Sequence, residues 1–130
     1  MPIANGAALV EAWIDAVDRH DLDAIAALFA SQARFTLSAP MFGTQLFLGA
    51  TGVRSFYAQL FAQVPRLHSR LHDVVAAEGR VMAEYEWAGP EANGNLVWHP
   101  TALSATVAEG RIVDMRFYRA DPDAGESAAG

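Results

Sequence analysis

The 130-residue chain contains no cysteine, which excludes disulfide frameworks, thiolate metal sites and cysteine nucleophiles together. No apolar run approaches the ~18 residues of a membrane-spanning helix. Met1 to Asp15 also lacks a basic stretch followed by an apolar one, so a cytoplasmic protein is expected. Charge is scarce: charged residues make up 18% of the chain, against roughly 25% in an ordinary domain. Nine basic residues face fifteen acidic ones, giving a formal charge of −6 with no basic cluster, so nucleic acid and anionic membranes are unsuitable partners. There is no glycine-rich phosphate loop, Gly-x-Ser-x-Gly elbow or dinucleotide fingerprint, and no cofactor is expected. What the chain has in excess is hydrophobic residues, at 52%. Its length suits one domain over residues 1–120, followed by a small, polar tail at 121–130. A subunit interface or an internal cavity must absorb the apolar surplus.

From Ala7 to Val17 the residues Leu9, Val10, Trp13, Ile14 and Val17 recur at three- and four-residue spacing, the stripe of an amphipathic helix. Asp21 is placed to cap a second helix, with Leu22, Ile25, Leu28 and Phe29 on its stripe. Ala33 to Leu37 reads as a short strand and Ser38 to Gly49 as a loop carrying Met41, Phe42, Leu46 and Phe47. A third helix runs from Thr51 to Gln63 and is stopped by Pro65. Four strand-like runs follow, Arg66 to Ala76 with Arg80 to Trp87 and Asn95 to Val107 with Arg111 to Tyr118, turning at Glu78-Gly79 and Glu109-Gly110. Three helices and a meander make an α+β fold. Because three helices cannot tile a flat sheet, a strongly curved antiparallel or mixed sheet, a half-cone with an apolar pocket at its open end, is the economical packing.

The segments His20-Asp-Leu-Asp-Ala-Ile-Ala-Ala-Leu-Phe-Ala30, Gly49-Ala-Thr-Gly-Val-Arg-Ser-Phe-Tyr57 and Glu109-Gly-Arg-Ile-Val-Asp-Met-Arg116 resemble the nuclear transport factor 2-like superfamily, a cystatin-like roll. It includes ketosteroid isomerase, scytalone dehydratase and the SnoaL-like polyketide cyclases. Matched to ketosteroid isomerase, its oxyanion tyrosine falls on Trp13, its basic aspartate near Leu37 and its proton-donating aspartate near Ala102, so that mechanism is not implied. The resemblance to the dehydratases implies more. Their aspartate near the end of helix one matches Asp18, and their pocket histidine on the strand after helix three matches His68, eleven residues before Gly79. The tyrosine partnering them in scytalone dehydratase falls on Val17.

A histidine held by a carboxylate can take a proton near neutral pH, which makes His68 the expected general base and Asp18 its orienting partner. The plainer reading of Asp18 is an acceptor for backbone N–H groups in the turn into helix two. His68, Arg70 and His72 alternate on one strand and share a face opposite Leu67, Ser69 and Leu71. If Glu78-Gly79 is a two-residue turn, Ala77 pairs with Arg80, His72 faces Tyr85 and Arg70 faces Trp87, inside the cavity. If the turn has three residues, His72 meets Glu84 and Arg70 meets Glu86 outside, with Leu71 packing on Tyr85. The first register is preferred, which puts the Leu67/Leu71 side outside. No metal is expected, because His68 and His72 stand roughly 13 Å apart on a strand.

Trp13, Tyr57, His72, Tyr85, Trp87, Trp98, Met115 and Phe117 are the expected pocket wall, with Tyr57 and Trp13 as donors to a developing oxyanion. Phe42 and Phe47 are candidates to close over a ligand, His99 is expected at the rim, and His20 is expected to face solvent. The leading expectation is a cofactor-free enzyme performing isomerase-, dehydratase- or cyclase-type proton abstraction on a hydrophobic cyclic polyketide, terpenoid or steroid-like substrate, working as a homodimer. The alternatives are a non-catalytic small-molecule binding or accessory domain using the same pocket, and a dimerisation module with a vestigial cavity.

Overall fold

A computed structural model describes residues 6–39, 43–90 and 94–119; Met41, Phe42 and the tail at 121–130 lie outside the described residues. The order of elements is α1 (Gly6–Asp18), α2 (Leu22–Ala27), β1 (Phe29–Ala39), β2 (Gly43–Leu48), α3 (Gly49–Gln63), β3 (His68–Ala77), β4 (Arg80–Pro90), β5 (Leu96–Ala108) and β6 (Arg111–Arg119). The strands form one mixed sheet in the order β2-β1-β6-β5-β4-β3, antiparallel except where β1 runs parallel to β6. The expected α+β architecture, three helices packed in a curved sheet, is the observed one. Among the described residues no helix is long and apolar enough to cross a membrane.

The stripe read on α1 is the buried one, with Val10, Trp13, Ile14 and Val17 all facing the core. Asp21 caps α2 by accepting from the Ala24 N–H at 3.0 Å, satisfying a donor that the first turn leaves without a partner. Helix α2 is shorter than its stripe suggested. Leu28 ends it, and Phe29 belongs to β1, where alternation through Ala33, Phe35 and Leu37 directs these side chains at the core.

The segment read as a loop contains β2. Gly43 and Gly49 bound this strand, and Phe47 lies opposite Phe35 and turns inward while Leu46 and Leu48 stand exposed. An edge strand with one neighbour needs only a short inward set, so its single inward, half-buried aromatic gave little periodicity to read. Gly49, at φ +72°, turns the chain from β2 directly into α3. A Cβ there would sit 2.6 Å from the Ser31 carbonyl oxygen, which is backbone and cannot swing away. Gly49→Ala is therefore expected to lower the unfolding free energy by about 2 kcal/mol in urea melts. A loss below about 0.5 kcal/mol would show that the turn relaxes at little cost.

Both registers weighed for β3 occur, one on each side of a bulge. From the Glu78-Gly79 turn, Ala77 pairs with Arg80 and Asp73 with Glu84, as a two-residue turn requires. The register then shifts at His72, so that Leu71 meets Tyr85, Arg70 meets Glu86 and Ser69 meets Trp87. One extra residue sends every side chain beyond it to the other face. His68 and Arg70 consequently stand on the outer face, while Leu67, Ser69 and Leu71 turn inward.

Candidate functional site

The concave face of the sheet, α1 and α3 enclose a cavity of about 300 Å³. Of the expected wall residues, Trp13, Tyr57, Tyr85, Trp87 and Phe117 line it. Each arrives by a simple rule: Trp13 from the buried stripe of α1, Tyr57 from that of α3, and the other three from inward positions of β4 and β6. Phe56, Leu60, Leu37 and Leu67 add apolar surface, and Ser69, Thr101 and Gln45 add polar groups that the sequence reading did not assign to the pocket. Ser69 and Leu67 were legible only in the register not preferred. Thr101 carried a signal, since it alternates with Leu103 and Ala105 on β5, and all three are buried.

Inside the cavity wall, the Trp13 indole N–H donates to the Tyr57 hydroxyl at 3.2 Å. Trp13 is also edge-on to Tyr85, with ring centroids 5.2 Å apart, and is tilted against Phe117 at 5.7 Å. The indole has one N–H, and it is engaged, so Trp13 orients Tyr57 and does not itself donate to a ligand. Tyr57 accepts through its oxygen and keeps its own proton to donate. Burial pushes the Tyr57 phenol well above its ordinary value of 10, the nearby Tyr85 adds to this, and the Trp13 N–H opposes it. The hydroxyl is thus neutral at any pH where the fold is used.

The expected His68–Asp18 pair forms, but not in the cavity lining. His68 Nδ1 lies 3.5 Å from Asp18 Oδ1, with side chains 49% and 44% exposed. Asp18 Oδ1 also accepts from the Ser69 backbone N–H at 3.0 Å. Asp18 therefore does what its plainer reading proposed, accepting a backbone N–H, though on the outer edge of β3 and not in the turn into α2. His72 is likewise outside, hydrogen-bonded to Glu86. Trp98 is not in the wall either, being covered by the Arg70 guanidinium at 3.9 Å from its ring centroid. Hydrogen bonding from His72, reinforced by Arg70, holds the Glu86 carboxyl below its ordinary range. Met115 is fully buried in the core behind the cavity wall.

Two other histidines differ in outcome. His20 does not simply face solvent: at φ +58° its ring stacks on Phe61 at 4.1 Å, and Nε2 lies 2.8 Å from the Leu67 carbonyl oxygen. That contact ties the α1–α2 turn to the start of β3, beside Asp18. His99 is half-buried and stacked on the pocket residue Trp87, ring centroids 4.4 Å apart. No three histidine, aspartate or glutamate side chains among the described residues are grouped to hold a metal ion.

The fold agrees with what comparison finds. A SnoaL-like domain profile matches residues 10–115, nearly all of the described chain. The chain belongs to the SnoaL-like family. No individually curated protein matches it significantly. A ketosteroid isomerase-like fold protein from Catenulispora acidiphila, crystallised with trimethylamine, is 18% identical over 86% of this chain and 85% of its own, with a TM-score of 0.76. TerC, co-crystallised with polyporic acid, is 16% identical over 93% and 95% of the two chains, also at 0.76. A Jannaschia protein that carries the name of a SnoaL-like polyketide cyclase is 20% identical over 98% and 94%, at 0.70. At such identities the likeness is one of fold. Within this SnoaL-like chain, no aspartate, glutamate, histidine or arginine is among the described cavity-lining residues, whose side-chain polar groups are hydroxyls, two indole N–H groups and one carboxamide. Chemistry available to such a wall is hydrogen bonding to a neutral ligand and exclusion of water.

Proposed function

We propose that this SnoaL-like chain binds a neutral, hydrophobic ring compound of polyketide, terpenoid or steroid type and promotes its isomerisation, dehydration or cyclisation without a cofactor. The observation that carries the reading is the Trp13-oriented Tyr57 hydroxyl in the wall of a largely apolar cavity. A ring ketone seated there would accept from Tyr57, and a fixed donor stabilises the enolate that forms as the α-proton passes to water at the cavity mouth, no histidine or carboxylate being among the described lining residues. The structural neighbour co-crystallised with polyporic acid supports a ring ligand. The outer face, where Val75, Met82 and Tyr118 stand exposed, suits the expected homodimer, which sedimentation would reveal as a particle of twice the chain mass.

A second reading is binding without turnover. It is favoured by the absence of a histidine or carboxylate among the described lining residues to accept the proton. Deuterium exchange at the α-carbon of 1-tetralone in D₂O separates the two, because only the first requires accelerated C–H exchange. Retained affinity with exchange at the buffer rate would replace catalysis by binding. His68→Ala and Asp18→Asn are expected to leave exchange and affinity within twofold; a collapse of exchange in either would return the pair to the reaction.

A further inference from the structure

Thr101 is 5% exposed, lies opposite Tyr85 in the β4–β5 ladder, and forms part of the cavity wall. Its Oγ1 has no hydrogen-bond partner among the described residues, and no other buried side-chain oxygen or nitrogen among them shares that condition. A buried hydroxyl with no partner opposes folding. Nothing in the strand demands it: valine has the same shape and an equal preference for extended backbone. Threonine in a strand also lacks the preceding-turn carbonyl that such hydroxyls bond in helices. Rotation between staggered positions about the Cα–Cβ bond exchanges methyl and hydroxyl, so the oxygen can be turned toward whatever occupies the cavity.

We infer that Thr101 is a second hydrogen-bonding point for the ligand, distinct from Tyr57, and that the ligand therefore carries a second oxygen on the edge facing β5. This rests on the cavity being the binding site. The ligand class is then an oxygenated, uncharged ring compound such as a hydroxyketone. Its neutrality follows from the wall, since an ionised group enclosed without a countercharge would lose its hydration uncompensated. Thr101 thus sets specificity by rewarding a hydroxyl that an apolar wall could not recognise.

Calorimetric titration with 1-tetralone and with 5-, 6- and 7-hydroxy-1-tetralone tests it. The wild type is expected to bind at least one hydroxytetralone about tenfold more tightly than 1-tetralone. Thr101→Val should remove that gain while leaving 1-tetralone affinity within twofold, and Thr101→Ser, which keeps the hydroxyl, should restore it. If no hydroxytetralone gains, or if the gain persists in Thr101→Val, the hydroxyl is satisfied by water only and the inference is overturned while the cavity reading stands. Failure of 1-tetralone and all three hydroxytetralones to bind would overturn both.

Discussion

Replacing Phe35 by alanine is expected to lower the unfolding free energy by about 3–5 kcal/mol. The ring is completely buried on β1, and its centroid lies 5.0 Å from Phe117, 5.3 Å from Phe56, 5.7 Å from Tyr57, 5.9 Å from Phe29 and 6.2 Å from Phe47. Those partners belong to β6, α3, β1 and β2, so one side chain joins the sheet to the helix laid across it. Alanine would remove the ring's own burial and leave a void that five stiff aromatic neighbours cannot collapse to fill. Leucine, retaining most of the volume, should cost less, about 1–2 kcal/mol. Urea melts of the two variants measure both values. Equal losses would mean that the ring's flat shape, and not its volume, is what the aromatic neighbours pack on.

The periodic parts of this architecture were readable before any coordinates. The α1 stripe, the Asp21 cap and both two-residue turns are local devices, in which the residues that decide the structure are within a few positions of each other. Glu109 and Gly110 both adopt positive φ, as a tight primed turn requires, and the glycine marked it. What failed was non-local. Phe29 leaves a helical stripe because β6 offers it a parallel partner, its neighbour Leu28 accepting from the Ile112 N–H at 2.8 Å. Strand β2 exists because β1 has a free edge to pair with, a fact about distant residues.

The candidate site divides along the same line. Aromatic wall residues were recoverable because in a curved sheet the inner core and the pocket lining are the same layer of side chains. Of the polar lining residues, Ser69 depended on the His72 bulge and Gln45 on the pairing that makes β2, while Thr101 carried only its alternation with Leu103 and Ala105. The charge pairing visible in the sequence was a real signal: Arg70 does meet Glu86, at 3.4 Å. The turn length was an equally real signal for the other register. A bulge reconciles them by giving each its own stretch of strand, and neither alone announces it.

Tyr57→Phe is expected to slow α-proton exchange of 1-tetralone roughly 10²-fold, the usual consequence of removing one oriented oxyanion donor. The change removes one oxygen, keeps the ring's contacts with Phe35, Phe56 and Phe61, and leaves the Trp13 N–H without its acceptor. Its stability cost near neutral pH should be about 1–3 kcal/mol, that of a buried donor left unpaired. A pH series distinguishes the hydroxyl's role from simple loss of packing. The phenol is raised above its ordinary value of 10 in the folded chain, chiefly by burial. The unfolded chain therefore releases this proton first. The associated stability is complete below pH 10 and is lost as pH rises toward the folded value, with a slope of up to about 1.4 kcal/mol per pH unit. In Tyr57→Phe that contribution to the alkaline slope should vanish, bringing its stability closer to the wild type as pH climbs past 10. Exchange that stays at the wild-type rate would remove Tyr57 from the reaction, and an unchanged alkaline slope would mean its hydroxyl ionises as readily folded as unfolded.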